Sequence, residues 1–143
     1  MKNVFCFIIF FFLNYQDIQA QESEAAKIII AKIEKAENEL KNGIILNQQD
    51  LKEIVCLTNI GTKKGDGNYI GIVFYPSESE IQIWKDWIEK NKTKISFSTN
   101  SDIYYKEFGI KVIQVEYESG KFRNNVCGDD EKLKNWLIQN EKK

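Results

Sequence analysis

The sequence predicts an α/β protein, and three features predict it. Apolar residues recur at helical spacing in segments long enough to form helices. A nearly continuous apolar run, Tyr69-Ile70-Gly71-Ile72-Val73-Phe74-Tyr75, has the composition of a strand buried on both faces, as in a parallel sheet. Residues 111–117 alternate, with Val112, Gln114 and Glu116 on one side and Ile113, Val115 and Tyr117 on the other. The 143 residues are enough for one domain with a real core.

The first twenty residues stand apart from that fold. Lys2 precedes a ten-residue apolar run, Val4 to Leu13, which holds five of the nine Phe. A membrane span takes about 20 apolar residues, whereas this run has the length of a signal-peptide core. Ala20 is the expected cleavage point, and an uncut membrane anchor is the alternative. Residues 1–20 are thus read as a signal peptide, which directs the chain to the periplasm or the exterior. No second long apolar run follows, so no membrane contact is expected after cleavage. Cleavage removes Cys6 and leaves Cys56 and Cys127 as an even pair. An exported chain can join such a pair in a disulfide closing a loop of roughly 70 residues, for about 4 kcal/mol by the loop-entropy relation. Two separate thiols or a redox-active pair are the alternatives.

Residues 21–46 are read as an N-terminal amphipathic helix and its exit. Ala26, Ile29, Ile33, Ala36 and Leu40 form the apolar stripe of a helix over 22–42, with Glu22 and Glu24 at its start, Lys41 at its end and Gly43 as its stop. The stripe serves either as a short coiled-coil seam for a homodimer or as a face laid on its own domain; two heptads are marginal for the former. Residues 47–143 form the main domain. A short helix over 48–54 is expected, then an extended Val55-Cys56-Leu57. Gly61-Thr62-Lys63-Lys64-Gly65-Asp66-Gly67 lacks the spacing of a phosphate-binding loop and reads as a solvated connector. Pro76 ends the apolar strand, Ser77 caps a helix, and Glu80 completes a capping box. That helix carries Ile81, Trp84 and Ile88 on one stripe, widened by Ile83 and Trp87, and ends near Asn91. Ile95-Ser96-Phe97 is the next strand, which makes a right-handed βαβ unit. Ser101 and Asp102 start a short helix through Phe108. The alternating strand then turns at Glu118-Ser119-Gly120 into Lys121-Phe122-Arg123, an antiparallel hairpin. Asp129 or Asp130 caps a final helix with Leu133, Trp136 and Leu137 on its buried face.

Composition excludes several chemistries. There is no His, so a Ser-His-Asp triad, a Cys-His dyad and a His-rich metal site are all impossible within one chain. A formal net charge of -1 argues against nucleic-acid binding by field strength. No cofactor and no metal are expected. Glu78 and Glu80 lie two apart on a helix and so do not face one another, which leaves capping as their role. Asn91-Lys92-Thr93 is a glycosylation sequon, with meaning only in a eukaryotic secretory host. Lys90, Lys92 and Lys94 form a small basic edge. Tyr104, Tyr105, Trp84 and Trp87 are candidates for an aromatic patch, with at least one Trp and one Tyr assigned to packing.

From residue 69 onward the expected order is β-α-β-α-β-β-α, preceded by an N-terminal helix. Ile72-Val73-Phe74-Tyr75-Pro76 resembles the strand leading into the redox motif of thioredoxin-like and peroxiredoxin-like proteins. Phe108-Gly109-Ile110-Lys111, a strand, and Glu118-Ser119-Gly120-Lys121 resemble a later segment of the same family. The resemblance covers roughly 69–140 and implies a thioredoxin-like three-layer α/β sandwich. It does not carry the chemistry. The family's Cys-x-x-Cys would fall at Ser79 and Gln82, and its cis-Pro near Gln114 or Val112, where a trans peptide is expected because cis without Pro costs about 3–4 kcal/mol. These are degenerate redox positions. The expectation is therefore an exported non-catalytic binding module for an unknown protein partner. The alternatives are a secreted or periplasmic inhibitor or immunity-type protein, and a thiol-disulfide oxidoreductase using Cys56 and Cys127.

Overall fold

A computed structural model describes residues 22–62, 65–68 and 71–126, with the backbone alone at 65–68 and 71–73. Residues 1–20, expected to be a signal peptide, Cys127 and the final helix expected from 129 lie outside the described residues. The elements are α1 (Glu24–Lys41), α2 (Gln48–Thr58), β1 (Gly65–Asn68), β2 (Gly71–Phe74), α3 (Glu78–Asn91), a 3-10 turn (Lys92–Lys94), β3 (Ile95–Phe97), α4 (Ser101–Phe108), β4 (Ile113–Glu118) and β5 (Lys121–Asn124). The chain is a mixed α/β fold, as the sequence predicts. From β2 to β5 the order is the expected β-α-β-α-β-β.

α1 begins where Ser23 Oγ accepts from the Ala26 N–H at 3.0 Å. The same hydroxyl donates to the Ile95 carbonyl at 2.7 Å, so the cap also ties α1 to β3. The helix stops as predicted at Gly43, whose φ of 64° suits glycine. There the Ile44 N–H reaches the Glu39 carbonyl at 2.8 Å and the Gly43 N–H reaches Leu40 at 3.2 Å, the pair of bonds that closes a Schellman motif. Ala25, Ala26, Ile29, Ile33 and Ala36 are buried against α2, α3 and β3. The stripe that could serve as a dimer seam is thus buried within its own chain, and α1 belongs to the main core.

α2 runs four residues beyond the expected 48–54, so Cys56 is helical and not extended. The apolar positions Leu51, Ile54 and Leu57 keep helical spacing, and this packing outweighs the extended preference of Val55. Asn59, in the left-handed region at φ 58°, ends the helix.

The strand pairing departs from expectation. β1 and β2 form an antiparallel pair, so Gly65, Asp66 and Gly67 belong to a strand and not to a loop. β3 pairs antiparallel with β4, and β4 with β5, in the order β3-β4-β5. Among the described residues β2 and β3 do not pair, so no parallel βαβ unit forms there. Tyr75 is exposed, unlike the end of a strand covered on both faces. The antiparallel partner of β2 is supplied by the glycine-containing segment just before it, which the connector reading overlooked.

α3 follows prediction closely. Ser77 Oγ accepts from the Glu80 N–H, and the Glu80 carboxylate accepts from the Ser77 N–H at 2.8 Å, completing the capping box. Ile81, Trp84 and Ile88 enter the core, and Trp87 packs at its margin. Ile83 is exposed and does not widen the stripe. Trp84 is fully buried, and its indole N–H donates to the Ile60 carbonyl at 3.1 Å.

In the three-stranded sheet, Ile95, Ile113 and Val115 face the core under α1, α2 and α3. Val112 packs instead with Tyr104 of α4, bordered by Phe108, Ile110 and Val126. A bulge between Glu116 and Glu118 breaks the alternation, which leaves Tyr117 exposed beside Arg123 rather than in the core.

Candidate functional site

The positions that the resemblance assigns to redox chemistry fall on two elements, Ser79 and Gln82 on α3 and Gln114 on β4. Ser79 is exposed in the first turn of α3, its hydroxyl 3.0 Å from that of Ser77. Gln82 is exposed on the next turn and donates to Asp86 at 2.9 Å. Gln114 is the second residue of β4, its amide 3.5 Å from Ser96 Oγ on β3. Among the described residues no hydrogen bond joins Gln114 to Ser79 or Gln82, and no peptide bond is cis. The α3 N-terminus is occupied by its own carboxylate: Glu80, nearly buried, accepts from both the N–H and the Oγ of Ser77. Glu78 is exposed beside it. The two carboxylates therefore have different surroundings, and capping accounts for Glu80.

The aromatic candidates disperse. Trp84 and Tyr104 are core residues, Tyr104 stacking on Phe108 with centroids 4.6 Å apart. Tyr105 is exposed and Trp87 is half-buried. Lys111 Nζ lies 4.9 Å above the Phe97 ring and 5.9 Å from that of Tyr105. At the sequon, Asn91 Nδ2 donates to the Trp87 carbonyl at 2.8 Å, so the acceptor amide is folded onto its own helix. Next to it Lys92 is paired with Glu89 at 2.7 Å, which raises the lysine pKa through that hydrogen bond.

Sequence reasoning overlooked a buried polar cluster around Glu53. Glu53 of α2 is only 4% exposed. Its Oε2 accepts from Lys32 Nζ of α1 at 2.7 Å and from Asn125 Nδ2 at 2.8 Å, and its Oε1 accepts from Gln49 at 3.2 Å. Asn125, 1% exposed, also donates to the Lys111 carbonyl at 3.1 Å and accepts from the Ile113 N–H at 2.8 Å. Asp50, one turn before Glu53, meets Lys35 at 2.8 Å and Lys32 at 3.1 Å. Burial pushes the Asp50 carboxyl up, but hydrogen bonds from Lys35 and Lys32 outweigh it and hold the group below its ordinary value. The readable signal was two facing rows of opposite charge, Lys32 and Lys35 on one helix and Asp50 and Glu53 on the next, each spaced i, i+3. Every Glu53 donor is part of the protein's own framework, which gives the cluster a joining role between α1, α2 and the end of β5.

Cys56 lies one turn after Glu53, is 9% exposed, and is disulfide-bonded. The other expected partner, Cys127, lies outside the described residues. Two hydrogen bonds bring the strand that leads to it against α2: Asn125 to Glu53, and Arg123 to the Thr58 carbonyl at 3.3 Å. Among the described residues no group of three or more His, Cys, Asp or Glu is placed to hold a metal ion, and no helix is long and apolar enough to cross a membrane.

No protein-family model, no curated protein and no solved structure matches the chain.

Proposed function

We propose that this chain is an exported, non-catalytic module that binds another protein, on a scaffold with the element order of thioredoxin-like proteins. The observation that carries the reading is Cys56 itself: its sulfur is committed to a disulfide in a buried helical position. A catalytic thiol needs an exposed, electropositive setting that lowers its pKa, and that setting is different from this one. The disulfide also supports an oxidising compartment, in line with the leader-like residues 1–20. The order of elements from β2 to β5 supports the thioredoxin-like part of the proposal, while the antiparallel pairing of β3 departs from the expected βαβ unit. Ile44, Ile45 and Tyr75 offer exposed apolar side chains for a partner, and Ile45 is 92% exposed. The bond pairs Cys56 with Cys127 in this reading, because Asn125 is held on α2 only two positions before Cys127.

The test is a disulfide-reductase assay on the oxidised chain with insulin as substrate and a dithiol as electron source. The expected rate equals that of the dithiol alone. A faster rate that Cys56→Ser or Cys127→Ser abolishes would overturn the proposal in favour of thiol-disulfide exchange.

A further inference from the structure

We draw no further inference here: the strongest candidate, the cleft of about 280 Å³ between α1 and α3 floored by Ile30, Ile33 and Ile88 and flanked by Glu34, Lys85 and Glu89, carries nothing because nothing in the structure shows what covers it.

Discussion

Asn125 hydrogen-bonds Glu53 at 2.8 Å across 72 positions of sequence, and both side chains are buried. That contact locks the exit of β5 onto α2, while Lys32, bonded to the same Glu53 oxygen, brings in α1. Asn125→Ala would leave the Ile113 N–H and the Lys111 carbonyl without their side-chain partner and remove one of the Glu53 donors. An unsatisfied buried polar group costs about 1–3 kcal/mol, and more than one is affected here. The expected loss is about 3 kcal/mol in urea unfolding. Asn125→Asp should be no better, because it sets a second carboxylate against Glu53.

The capping box at α3 makes a smaller, separable contribution. Ser77→Ala removes the acceptor for the Glu80 N–H and should cost about 1 kcal/mol. Glu80→Ala removes the reciprocal bond to the Ser77 N–H. The two residues touch, so the double variant should deviate from the sum of the singles by at least about 0.5 kcal/mol in a double-mutant cycle.

Trp84 anchors the core. Trp84→Ala deletes a fully buried indole and should cost about 4 kcal/mol. Trp84→Phe keeps most of the volume but leaves the Ile60 carbonyl without its donor, for about 1–2 kcal/mol. Chemical denaturation followed by circular dichroism separates the two.

The α1–α2 charge rows set an acid dependence. The folded-state pKa of Asp50 is depressed, so its contribution is present above the unfolded value of about 3.9 and is lost as pH falls through the lower folded value. At pH 6 Asp50→Asn should be less stable than the parent by about 1 kcal/mol, a modest figure because Lys35 is half exposed. The gap should close as pH drops below about 4. Urea midpoints at pH 6, 4 and 3 measure it, and a gap that stays constant across that range contradicts the ion-pair account.

Local signals were legible where the chemistry is local. The Ser77–Glu80 box, the Gly43 stop, the Ile95-Ser96-Phe97 strand and the Gly120 turn each depend on residues within a few positions, and each appears where their chemistry places it. Pairing was less legible. Whether the strand ending at Phe74 meets its neighbour in parallel or antiparallel depends on contacts that no short window contains, and Gly65 to Asn68 disguised a strand as a loop. The sequence leads to an extended Cys56, whereas Leu51, Ile54 and Leu57 carry the helix through it to Thr58. The Glu53–Asn125 contact was missed because a lone Asn after a strand carries no sign of its partner 72 positions away.

The state of Cys56 tests the account most directly. The purified chain is digested without reduction and its peptides are mapped, and a second sample of the folded chain is treated with a thiol-alkylating reagent at neutral pH. One linked pair of peptides containing Cys56 and Cys127 is predicted, with no alkylation of either Cys until the chain is unfolded and reduced. Alkylation of Cys56 in the folded chain, or a Cys56 peptide without a partner, would contradict it.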